Sequence, residues 1–262
     1  MYIDANKMII PLIINKIASL TPLHVLGRLS ADLRYLIEIS LKNNEKFSVT
    51  SLDSNIQLIT YKIDSPNKEK SKIVIYLHGG GFVVRDSADL IITERLLPLL
   101  AQKTSNNIVL VSILYPLAPS ISEFHDSLVI DSILTSISKV EKLGSIEAIV
   151  GDSAGGYLAI QVAEKIKTKK LCLISPWLDL YSYSDSYSRN KHKDFLDPMF
   201  LERCRASYLG LERDLYLRLS IASDRYIKYL KESNIKAFAF SYHIIFTYII
   251  FIAETAHNKS IQ

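Results

Sequence analysis

Hydrophobic and polar positions alternate in blocks along this chain, and the block lengths change from strand-like to helix-like and back. Two short β-prone runs, 46–52 and 56–63, are separated by Asp53-Ser54-Asn55 and predict a hairpin. Further strand-like runs follow at 72–77, 108–114, 146–150, 170–175, 217–223 and 235–241. Several are near-continuous aliphatic or β-branched stretches, as expected of strands covered on both faces in a parallel sheet. Helical patterns lie between them at about 87–103, 122–142, 156–167 and 225–233. Alternation of this kind predicts one doubly wound α/β domain over residues 46–262, with eight strands, a mostly parallel sheet and helices on both faces.

Two regions stand apart from that sheet. Residues 1–45 read as two helices, with Leu26, Leu29, Leu33, Leu36 and Ile37 recurring at 3–4 spacing on the second. Residues 177–215 are polar and aromatic at first and helical later. Both are expected to fold over the carboxyl edge of the sheet as a helical cap, the second as an insertion. The apolar run 8–14 is broken by Pro11 and is too short to span a bilayer. The stretch 237–253 carries no charge and reads as a buried strand followed by a buried helix, with membrane insertion the lesser reading.

Composition narrows the function classes. The 262 residues are 48% hydrophobic and 22% charged, an ordinary globular balance. The net charge of +4 comes from lysines spread along the chain with no basic run, so no nucleic-acid partner is expected. The two cysteines, Cys172 and Cys204, form no CxxC pair and no disulfide framework, which fits a reducing compartment; a cytoplasmic location is the expectation.

Glycine locates the chemistry. Of nine glycines, six fall in two motifs: His78-Gly79-Gly80-Gly81-Phe82 after the run 72–77, and Gly151-Asp152-Ser153-Ala154-Gly155-Gly156 after the run 146–150. Glycine is costly in ordered structure unless the backbone must turn sharply or approach closely. The second motif fits G-x-S-x-G between a strand and a helix, a turn that presents the serine hydroxyl at its tip. A serine that merely caps the following helix is the plain alternative. The first motif offers backbone N–H groups for a developing oxyanion; Gly79, Gly80 and Ala154 are the expected donors. A phosphate loop is excluded because Val83 and Val84 stand where lysine and a hydroxyl residue would be needed.

Together with Tyr115-Pro116-Leu117-Ala118-Pro119 and Ser175-Pro176-Trp177-Leu178-Asp179-Leu180, these motifs make residues 72–180 resemble the hormone-sensitive lipase family of bacterial esterases. The resemblance implies an α/β-hydrolase fold, an esterase acting on short acyl chains, and no metal or organic cofactor. In this fold the order along the chain is serine, acid, histidine. Histidines after Ser153 are His192, His243 and His257. His192 lies among basic residues and His257 in a polar tail, whereas His243 follows the strand-like run 235–241 and opens a His-x-x-Phe sequence like the family's base. Asp224 ends the run 217–223, where the family carries its acid; a helix N-cap is its rival role. Asp152 and Asp179 read as structural supports.

Two hypotheses follow. The first is a serine carboxylesterase with Ser153, His243 and Asp224 as its triad, a small-molecule ester as substrate, no stable membrane insertion, and a homodimer left open. The second is a non-catalytic ligand-binding protein, suggested because the stretch around Asp224 and His243 is shorter than the family pattern. A membrane-associated lipase is a weaker third idea.

Overall fold

The computed structural model describes residues 23–61, 72–85, 108–118, 126–168, 170–181, 184–190, 196–209, 235–239 and 250–255, together with residues 90, 93 and 97–99. In chain order the elements are α1 (Leu23–Lys42), β1 (Phe47–Asp53), β2 (Ile56–Tyr61), β3 (Lys72–Leu77), β4 (Ile108–Ile113), α2 (Asp126–Val140), β5 (Ser145–Asp152), α3 (Ala154–Ile166), β6 (Lys170–Ile174), α4 (Asp185–Asn190), α5 (Pro198–Leu209), β7 (Ile235–Ala239) and β8 (Ile250–Thr255). The expected hairpin forms: the Asp53 carboxylate accepts the Asn55 N–H at 2.8 Å, an Asx turn that reverses the chain between β1 and β2.

The sheet has eight strands in the order β1-β2-β4-β3-β5-β6-β8-β7. β3, β4, β5 and β6 are mutually parallel, while β2 and β8 run against the other six strands. Side chains alternate between its faces with period two. Ile73, Ile75 and Leu77 of β3 with Val111 and Ile113 of β4 join a core completed by Val129, Ile133 and Ile137 of α2 and Leu158 and Val162 of α3. Tyr76, Ile108 and Leu110 face the other way, into a second core with Phe47, Ile59 and Leu41 of α1. Helices therefore cover both faces, and these central strands have no wet side.

One expectation needs correction. The uncharged run 237–253 enters a second strand, β8, where a helix was expected. β8 pairs antiparallel with β6 on one side and β7 on the other, so its backbone groups are satisfied by two ladders. An apolar run without clear period does not by itself tell a buried helix from a buried strand. β8 also takes the sheet position beside β6, so β7 has no parallel neighbour on that side. The run 217–223, the helical pattern 225–233 and the first helix of 1–45 lie outside the described residues.

The expected second helix of 1–45 forms as α1, and it meets the sheet through a polar face. Leu29, Leu33 and Leu36 are 58%, 57% and 62% exposed, while Ile37 packs against the second core. The buried face carries Arg34, Glu38 and Leu41. Arg34 Nη2 donates to Gln57 Oε1 at 2.7 Å and to Ser112 Oγ at 3.2 Å, tying α1 to β2 and β4. Gln57 Nε2 donates to Glu38 Oε2 at 2.6 Å, and Glu38 Oε1 pairs with Lys42 at 2.6 Å. A buried charge held by this chain of partners fixes one register of helix on sheet. Arg34→Ala strands Gln57 and Ser112 and is expected to lower stability by about 2–3 kcal/mol, read as a lower urea midpoint at unchanged slope.

Candidate active site

Both glycine motifs emerge at the carboxyl ends of adjacent parallel strands, β3 and β5, with Leu77 in register with Gly151. Each chain must leave the sheet there, and the two exits are fitted to one another. A Cβ on Gly155 would meet the carbonyl oxygens of Leu77 and His78, the latter at 2.5 Å. Only glycine lets the first turn of α3 pass this close beneath the β3 exit.

Ser153 occupies the single residue between β5 and α3, at φ 50° and ψ −115°. A non-glycine residue held there stores about 1–3 kcal/mol of strain and persists only where its surroundings over-determine it. Here they do. The Ser153 N–H donates to the Ile174 carbonyl at 2.9 Å, and its own carbonyl accepts from Trp177 N–H at 2.9 Å and Gly156 N–H at 3.0 Å. The Ser153 side chain makes no capping bond to α3, which disposes of the helix-cap alternative. The hydroxyl sits, partly exposed, at the N-terminus of a helix whose first N–H groups lack intrahelical partners, Ala154 among them.

The HGGGF loop is equally constrained. Gly80, Gly81 and Phe82 all adopt positive φ, at 103°, 61° and 65°. At Gly80 an added Cβ would run into the Val84 carbonyl, so the turn requires glycine. The Gly80 carbonyl accepts from the N–H groups of Val83 at 3.1 Å and Val84 at 3.0 Å. His78 is fully buried, and its Nδ1 lies 2.7 Å from the Gly79 carbonyl. A carbonyl only accepts, so this bond requires the Nδ1–H tautomer. The imidazole stacks on Tyr115 at 4.1 Å between ring centroids, and the Tyr115 hydroxyl donates to the His78 carbonyl at 2.5 Å. His78 is thus spent on shaping the loop.

Other nucleophiles fade on inspection. Burial pushes the Cys172 thiol up to about 11 and the Cys204 thiol to about 12, so neither is a thiolate near neutral pH. The Asp179 carboxylate accepts the Ser184 N–H at 3.1 Å, consistent with its reading as a support, and Asp152 is buried. Among the described residues no group of His, Cys, Asp or Glu is arranged to hold a metal ion, and no helix is long and apolar enough to cross a membrane. Of the expected site residues, Ser153, Ala154, Gly79 and Gly80 are brought to one sheet edge. Asp224 and His243 lie outside the described residues, as do His192 and His257.

Comparison with known proteins agrees with this architecture. The model of a family described as having the alpha/beta hydrolase fold matches residues 74–235. The chain therefore belongs to that family. Among curated relatives, it is similar to the acetyl esterase of Salmonella schwarzengrund (strain CVM19633), 28% identical over 172 residues covering 59% of this chain and 50% of that protein. It is also similar to the arylacetamide deacetylase of Oryctolagus cuniculus, 28% identical over 199 residues covering 68% of this chain and 48% of that one. The chain thus spans about half the length of these relatives. Its fold is shared by a hormone-sensitive lipase from a metagenome library (TM-score 0.60, 23% identity, 84% of this chain and 74% of that one). It is shared too by the lipase homolog EstE7, also from a metagenome library (TM-score 0.57, 24% identity, 85% and 74%).

Proposed function

We propose that this protein is a serine esterase that cleaves small carboxylic esters through an acyl-enzyme. The observation that carries the reading is Ser153 itself, held at φ 50° between β5 and α3 by three backbone hydrogen bonds and free of any capping duty. In the proposed reaction Ser153 Oγ attacks the ester carbonyl while His243 takes the hydroxyl proton. The tetrahedral oxyanion is met by N–H groups of Gly79, Gly80 and Ala154. His243 then returns the proton to the leaving alcohol, and water hydrolyses the acyl-Ser153 by the same route. Asp224 orients His243 and stabilises its charged form. The family match and the acetyl esterase and arylacetamide deacetylase relatives support the ester class. On this reading residues 177–215 form the cap over the site, while α1 covers the sheet beside β2 and β4.

The test is hydrolysis of p-nitrophenyl acetate, butyrate and longer esters, paired with a fluorophosphonate probe. Covalent labelling of Ser153 together with turnover is the expected result. The position of β8 beside β6 favours one rival, a ligand-binding protein that keeps the serine and the loop without a competent acid and base. That rival predicts no labelling and no turnover.

A further inference from the structure

Phe82 carries more strain than its place beside three glycines explains. It is a bulky residue at φ 65° and is fully buried, a combination that costs about 1–3 kcal/mol and survives only under external constraint. The constraint is aromatic. The Tyr208 ring stacks on it at 3.8 Å between centroids with planes 22° apart. Trp177 stacks more loosely at 5.7 Å, and Tyr157 meets it edge-on at 5.9 Å. Its carbonyl accepts the Ala118 N–H at 2.9 Å.

These restraints differ in origin. Tyr157 is on α3, while Trp177 and Ala118 lie just beyond the ends of β6 and β4, so all three are anchored next to the sheet. Tyr208 alone comes from α5, which lies later in the same 177–215 segment that Trp177 opens. The same helix makes a second contact one residue earlier, where a Cβ on Gly81 would lie 2.9 Å from Cys204 Sγ. Tyr208 and Cys204 are four residues apart, one turn of α5, and so present themselves on one face of it. That face presses on the two left-handed residues at the end of the HGGGF loop.

We propose that Tyr208 is a positioning residue for ester hydrolysis: clamped on Phe82, it holds the loop that carries Gly79 and Gly80 in its strained form and so couples α5 to the oxyanion donors. The inference rests on the reading of Ser153 as a nucleophile. Without the Tyr208 ring, one face of Phe82 opens and the backbone gains room to relax toward negative φ, turning peptides two residues from the donors. Transition-state stabilisation then falls while ground-state binding of a small ester changes little.

The experiment compares Tyr208→Phe, Tyr208→Leu and Tyr208→Met in the full chain, with kcat counted per folded molecule. Tyr208→Phe keeps the stack and is expected to stay within about twofold of wild type. Tyr208→Leu is expected to lower kcat by about 10–100-fold with KM nearly unchanged, a part of what losing one oxyanion donor costs. Affinity for a trifluoromethyl ketone, which forms a tetrahedral adduct with an oxyanion, should fall in parallel with kcat. Should Tyr208→Leu fail to fold, Tyr208→Met fills the space without a ring and is read in the same way. Wild-type kcat and inhibitor affinity in a folded Leu or Met variant, or an equal loss in Tyr208→Phe, overturns the inference. A wild-type protein that neither turns over esters nor reacts with fluorophosphonate overturns the nucleophile reading and takes this one with it, which distinguishes the two failures.

Discussion

Replacing Ser153 with alanine is expected to lower p-nitrophenyl acetate hydrolysis by about 10⁴-fold or more and to abolish fluorophosphonate labelling. The size follows from the role: without Oγ no acyl-enzyme forms, and what is left is the modest help of the oxyanion donors acting on water. The same substitution should barely move the melting temperature. The Ser153 side chain makes no capping bond, and the bonds that pin the residue run through its backbone N–H and carbonyl, which alanine retains. Loss of activity without loss of fold separates a nucleophile from a structural serine. Equal rates for Ser153→Ala and wild type would remove Ser153 from the mechanism.

The second large effect is expected at Gly155. Alanine there would push a methyl group onto the Leu77 and His78 carbonyl oxygens, at 2.5 Å from the latter. Neither atom belongs to a flexible side chain; both are backbone at the exit of a central strand paired on each side. Overpacking with no rotamer to yield lies at or above the upper end of its usual range, about 3 kcal/mol. In a chain of this size that corresponds to a melting temperature lower by about 6–12 °C. Activity should fall even well below that temperature, because the loop and Ser153 are forced apart, and a displacement near 1 Å costs about a hundredfold. A Gly155→Ala protein with wild-type melting and turnover would show that the two motifs are not in contact.

Much of this was written locally in the sequence. The hairpin turn at Asp53–Asn55, the near-continuous β-branched strands and the two glycine motifs each depend on neighbours in the chain, and each appears where its pattern indicates. What was not legible depends on partners distant in sequence. The leucine row of α1 marks it as a helix, yet the helix buries Arg34 and Glu38, because polar partners on β2 and β4 wait for them. β8 reads as helix because its identity as a strand lies in β6 and β7 rather than in its own period. Tyr208 carried no signal at all. Nothing in the spacing along α5 announces that its ring will meet Phe82, more than a hundred residues earlier in the chain. The candidate donors follow from the two glycine motifs, whereas Asp224 and His243 rest on chain order and resemblance, which say little about where a side chain ends up.

The contact of Gly155 with the Leu77 and His78 carbonyls also bears on movement. The first turn of α3, two residues after Ser153, meets the start of the HGGGF loop through backbone atoms, which have no rotamer to change. The start of the loop and the first turn of α3 are therefore tied together, so that on the proposed mechanism the Ser153 hydroxyl keeps its place relative to the His78 end of the loop. On the proposed mechanism, substrates of different shape are then not accommodated by shifting Ser153 away from the start of the loop. Tolerance for a larger acid or alcohol must come from elements that touch only one side of this junction, so selectivity can drift over time while the geometry of attack stays fixed.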